Sequence, residues 1–180
     1  PDYVDLIANS TYDPERAREL LTEAGFADGF TTTLKLPPPS YARRGGEIIA
    51  SQLREVGITA EISNLEWAQW IEEVFTGKNF GMSIVSHTEP MDISIYANPE
   101  YYFQYDNPEF QALMVTLNAT TDPITRSALL VEAQTTISED YVNGYLFQLA
   151  VPTVAMAGLN GLWLDQPTAT VDLTGVSWSE

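Results

Sequence analysis

Cysteine is absent from the 180 residues, and histidine occurs once, at His87. The first absence excludes disulfides, thiolate metal sites and a cysteine nucleophile, and leaves the redox compartment open. The second excludes a histidine-rich metal site and forces any Ser-His-acid triad through His87. Basic residues are also scarce, eight against 25 acidic, for a formal charge of −17. Such a surface repels a phosphate backbone or an anionic bilayer, so nucleic acid is excluded as a partner, and the charge itself reads as a solvated face. Phosphate-cradling glycine patterns of the Gly-x-x-x-x-Gly-Lys-Ser/Thr and Gly-x-Gly-x-x-Gly types are missing, and no cofactor is implied. No apolar run approaches bilayer length, so no membrane insertion is expected of this segment. The chain opens on Pro1 without an initiator Met or a basic, apolar leader, so a targeting segment is expected outside the printed sequence.

What is present is an ordered alternation of helix and strand signals in one domain-sized chain. Tyr12–Phe26 carries Asp13 as N-cap, Pro14 at the first helical position, an apolar face of Ala17, Leu20, Leu21 and Ala24, and Gly25 as its stop. Thr31–Leu36 has strand composition and ends at Pro37-Pro38-Pro39. A helix from Ser40 to Val56 buries Ile49, Leu53 and Val56 and stops at Gly57, with Gly45-Gly46 weakening its first turns. Ile58, Ala60 and Ile62 alternate as the next strand. A helix from about Glu66 to Thr76 follows, with Trp67, Trp70, Ile71, Val74 and Phe75 at helical spacing, and then a strand of Phe80, Met82 and Ile84. Strand, helix, strand, helix, strand with short links predicts an α/β fold, a mixed but mostly parallel sheet flanked by helices. Asn107-Pro108 and Asp122-Pro123 open two further helices, to about Asn118 and Asp140, expected to pack as neighbours. Tyr145–Val151 and Thr153–Ala157 are predicted as late strands in a C-terminal portion, residues 145–180, otherwise of loops.

The chemistry concentrates after the third strand. Ser86, His87, Thr88, Glu89 and Asp92 are followed by Tyr96, Tyr101, Tyr102, Phe103 and Tyr105, more hydrogen-bonding and stacking groups than a connection needs. The segment reads as the wall of a binding cleft, with Ser86, His87, Thr88, Glu89, Asp92 and Tyr102 as ligand-binding candidates. A metal held by His87, Glu89 and Asp92 would rest on three loosely spaced loop ligands, and a hydrogen-bonding histidine is the better reading. Trp70 reads as core. Two placements stay open for Trp67, the core stripe or the rim at the carboxyl end of the preceding strand, where open α/β sheets bind ligands. An alternative from another class is a small α/β hydrolase using Ser86 and His87 with Asp92 or Glu89. It lacks the Gly-x-Ser-x-Gly elbow, and adjacent side chains on a strand point apart.

Tyr12–Phe30 (YDPERARELLTEAGFADGF), Leu34–Ile62 (LKLPPPSYARRGGEIIASQLREVGITAEI), Glu66–Ile84 (EWAQWIEEVFTGKNFGMSI) and Tyr105–Met114 (YDNPEFQALM) together resemble the extracellular solute-binding protein family 5. These are receptors of bacterial ABC importers for dipeptides, oligopeptides, nickel chelates and related solutes. The resemblance implies a non-enzymatic, periplasmic or lipid-anchored receptor of two lobes, of periplasmic-binding-protein type II, closing over its ligand and docking on a membrane permease. Residues 1–180 then form the second major lobe and the C-terminal strands. Trp67 matches the Glu-Trp start of the family's pocket-lining helix. His87 stands where many peptide receptors carry the Trp of a Gly-Trp pair, followed by an Asp that fixes the ligand's amino terminus. Here Ser-His-Thr-Glu-Pro-Met-Asp is shorter, and leaves the carboxylate role open between Glu89, Asp92 and neither. A smaller or more polar ligand than a tripeptide suits that replacement.

Overall fold

The computed structural model describes residues 2–87, 92–150, 152–163 and 172–179. A three-stranded parallel sheet holds the first half of the chain: β1 (Phe30–Leu36) in the middle, β2 (Ile58–Asn64) on one side and β3 (Met82–Ser83) on the other. Phe30 aligns with Ile58 and Leu36 with Asn64 along the whole of β1, whereas β3 pairs only Met82 with Leu34 and Ser83 with Lys35. The parallel order agrees with the sequence reading.

Helix α1 (Pro14–Glu23) begins as its residues dictate, with the Asp13 carboxylate accepting from the Arg16 N–H at 2.9 Å and Pro14 just inside. Its Leu20 remains exposed, so the expected apolar face is only partly covered. Helix α2 (Ser40–Glu55) connects β1 to β2 and lays Ala50 and Leu53 on Leu34, Leu36 and Ala60. Ser40 does not cap it; Pro39 holds the cap position without a side-chain bond. Gly46, read as a weakness, has a packing reason: a Cβ there would fall 2.4 Å from Leu36 Cδ1. Only glycine lets the helix sit this close to the middle strand.

Helix α3 starts at Trp67, and after Trp70 its hydrogen bonding widens into a π-helical segment, Ile71–Thr76, with the Gly77 N–H reaching the Glu72 carbonyl at 2.9 Å. The expected stripe is broken up. Trp70 and Val74, four apart, are buried, while Ile71 and Phe75 are exposed. On this side of the sheet Lys35 lies buried with Nζ 2.7 Å from Glu73 Oε2.

The second half is helical. A 3-10 segment (Asp92–Ala97) leads to α4 (Pro108–Ala119) and α5 (Pro123–Glu139), capped by Asn107 and Asp122 as their sequences require. Phe110, Met114 and Leu117 pack on Ala133 and Ile137, so the two helices are neighbours as expected. The predicted late strands are not formed. Residues 145–150 and 152–156 are exposed and have no ladder partners, Ala157 opens a turn, and Val151 lies outside the described residues. A strand needs a neighbouring edge to satisfy its backbone, and composition alone does not supply one. The strands that do form here are the two-residue β4 (Leu159–Asn160) and β5 (Ser177–Trp178), paired antiparallel.

Candidate functional site

Because β1 lies between β2 and β3, the sheet's switch point, where open α/β folds form a ligand crevice, lies between the carboxyl ends of β1 and β3. Tyr41, in the first turn of α2, reaches across it: its hydroxyl accepts the Ser86 N–H at 2.9 Å. This bond pins the chain just beyond β3.

Three of the predicted residues come together behind that point. His87 Nε2 and the Tyr102 hydroxyl share a hydrogen bond of 3.1 Å, and Asp92 Oδ2 lies 3.9 Å from His87 Nδ1. His87 is thus the hydrogen-bonding histidine expected. Its Nε2 is bonded to a tyrosine hydroxyl, whereas the hydrolase alternative called for a serine there. Thr88 and Glu89 lie outside the described residues. Trp67 is 43% exposed, which rules out the core placement, and its ring meets that of Trp70 edge-on at 5.7 Å.

A pocket of about 140 Å³ lies between Trp70, Phe75, Tyr101 and Tyr102 on one side and Val85, Ser86 and His87 on the other. Tyr102 is buried in its wall, at 8% exposure. Its ring lies 5.9 Å from Trp70 and 5.4 Å from Phe75, centroid to centroid. Trp70, read as core, is buried at 5% and also lines this pocket. Its indole N–H donates to Ser83 Oγ at 2.9 Å, and the Ser83 hydroxyl donates to the Lys35 carbonyl at 2.7 Å, so the ring is oriented from the sheet itself. Burial puts the Tyr96 hydroxyl, further along, above its ordinary tyrosine value, helped by its bond to the Tyr145 hydroxyl.

Sequence reasoning missed Tyr41, Phe75 and the wall role of Trp70. Tyr41 carried the same signal as Trp67, an aromatic in a first turn following the carboxyl end of a strand. Phase analysis on a 3.6-residue period had no means of bringing Trp70 and Phe75 to one wall, because they are five apart and meet at 6.4 Å through the π turn.

The sheet, its helices and the crevice define an α/β lobe of the periplasmic-binding-protein kind. A dipeptide-binding protein from Pseudoalteromonas sp. SM9913, solved with Met-Leu, superposes with a TM-score of 0.69 at 24% identity, covering 93% of this chain and 36% of that one. In sequence, the dipeptide-binding protein of Escherichia coli is 35% identical over 82 residues, which is 43% of this chain and 15% of that protein. Heme-binding protein A of Haemophilus influenzae is 28% identical over 146 residues, 73% of this chain and 27% of that protein. The chain belongs to the bacterial extracellular solute-binding proteins, family 5, matching the family's middle region over residues 1–107. It spans little more than a third of the length of these relatives, or less.

Proposed function

We propose that this chain is one lobe, with C-terminal segment, of the substrate-binding receptor of a bacterial ABC importer. The receptor captures a small peptide- or amine-type solute by closure of two lobes and delivers it to a membrane permease. The observation that carries the reading is the aromatic pocket beside Ser86 and His87, just past the carboxyl end of β3 at the sheet's switch point. Relatives named for dipeptide binding support the peptide class, and membership of an extracellular family supports a periplasmic or cell-surface location.

In this reading Trp67 lies on the rim, Ser86 and Thr88 offer polar groups, and His87 and Tyr102 form a hydrogen-bonded wall. Asp92 or Glu89 supplies the carboxylate for a cationic amine, a charge-assisted contact worth roughly 1.5–3 kcal/mol. The other lobe is the second partner. Tyr145, Leu146, Phe147, Leu149, Val154 and Met156 are all at least 47% exposed along residues 145–156, and they cover apolar surface of the remaining receptor.

Calorimetry on the full-length receptor with dipeptides tests this. The expected result is saturable binding weakened at least about tenfold in Trp67→Ala and in His87→Ala with Asp92→Ala. Unchanged affinity in all of these variants would move the site elsewhere.

A further inference from the structure

We propose that the pocket walled by Trp70, Phe75, Tyr101 and Tyr102 is a subsite for a methylated ammonium group of the solute. The inference deepens the receptor reading and rests on it. At about 140 Å³ the pocket is well below the roughly 300 Å³ at which whole-ligand pockets begin, so it takes one group of a ligand rather than all of it.

The nature of that group follows from the walls. Trp70 and Tyr102 are nearly buried and form the floor, while Phe75, 42% exposed, stands at the mouth. The Phe75 ring is inclined 85° to Tyr101 and 34° to Tyr102, and Trp70 is inclined 68° to Tyr102, so the four rings meet at several angles rather than as one parallel stack. Ring faces attract a cation through their quadrupole, most strongly where water is excluded.

Three of the polar groups bordering the space have partners, and two of them are N–H donors that offer an ammonium no acceptor. The Trp70 N–H is held by Ser83, the Ser86 N–H by Tyr41, and the Tyr102 hydroxyl by His87. A primary ammonium brings three N–H donors and needs acceptors, whereas a methylated one needs only ring faces and a favourable field. That field comes from a chain of formal charge −17 and from Asp92 beside His87, and no Lys or Arg is among the described lining residues. Val85 is the one aliphatic residue among them, which argues against a pocket built for a neutral alkyl group.

The test uses the full-length receptor, freed of any co-purified solute, and titrates three compounds that share a two-carbon alcohol. Choline carries the methylated cation, 3,3-dimethylbutan-1-ol is its neutral isostere, and ethanolamine is its unmethylated counterpart. The expected result is saturable choline binding with the other two at least about tenfold weaker. Phe75→Leu, which keeps bulk at the mouth but removes the ring, is expected to weaken choline about tenfold with the thermal midpoint preserved. Equal binding of the neutral alcohol would make this an apolar subsite, and equal binding of ethanolamine would make it a hydrogen-bonding one; either overturns the proposal. Failure of choline while dipeptides such as Met-Leu bind overturns the subsite and leaves the receptor reading standing. Failure of every solute, with none co-purified, overturns both.

Discussion

The side chain on which the site's geometry depends most is a serine. Ser83 accepts the buried Trp70 N–H and donates to the Lys35 carbonyl, so one hydroxyl fixes an indole against the middle strand. Ser83→Ala leaves that indole N–H without its acceptor, and urea unfolding is expected to show a loss of about 1–3 kcal/mol. Ser83→Thr, which keeps the hydroxyl, is expected to recover most of it. A second residue-scale expectation concerns pH. The Asp140 carboxylate accepts from the Tyr105 hydroxyl and from Asn107 Nδ2, and these bonds hold it below the usual aspartate range. Burial, then the bond to Asp140, pushes the Tyr105 hydroxyl up to about 12. The signs differ. The lowered carboxylate contributes stability above its unfolded value, lost as pH falls through the acid range. The raised phenol contributes stability below its unfolded value of 10.0, lost as pH rises toward about 12. Tyr105→Phe is expected to flatten both limbs in a series of unfolding curves against pH, and to cost about 1 kcal/mol at neutrality.

Among the elements, those that announce their own ends were legible. Asp13-Pro14, Asn107-Pro108 and Asp122-Pro123 each state cap and first turn locally, and all three helices start there. The caps are not equivalent. Asn107 accepts from the Glu109 and Phe110 N–H groups and also donates to Asp140, tying the start of α4 to the end of α5. Asn107→Ala is therefore expected to cost more than the roughly 1 kcal/mol of an ordinary cap, and more than Asp122→Ala, when thermal or urea unfolding of the two is compared. Gly46→Ala, which would improve an exposed helix, is expected here to destabilise by about 1–3 kcal/mol because the methyl meets Leu36. What was not legible depended on distant partners or altered phase. The strand composition of Tyr145–Ala150 has no ladder partner among the described residues, and the π turn after Trp70 accompanies Phe75 to the pocket without any local sign. Trp67 and Trp70 carry the same residue type three apart, and only packing decides that one is exposed and the other both core and pocket wall.

At the scale of the molecule, the chain has separate buried clusters rather than a single large core: one between the sheet and α2, one aromatic around Trp70 and Tyr102, one between α4 and α5. Alongside them Tyr145, Leu146, Phe147, Leu149, Val154 and Met156 are exposed, and the formal charge is −17. Such a body gains from a partner surface, which is what a lobe of a larger receptor has. Raising salt is expected to raise its thermal midpoint by screening self-repulsion, read by calorimetry across an ionic-strength series. The central claim is that the crevice belongs to a solute receptor, and native mass spectrometry of the full-length protein purified from its host measures it most directly. The expected spectrum carries a small-molecule adduct that is released on denaturation and returns when the isolated solute is added back to the wild type but not to Trp67→Ala. A spectrum with no adduct, from a folded protein that shows no thermal shift with any member of a dipeptide and amine library, would contradict it.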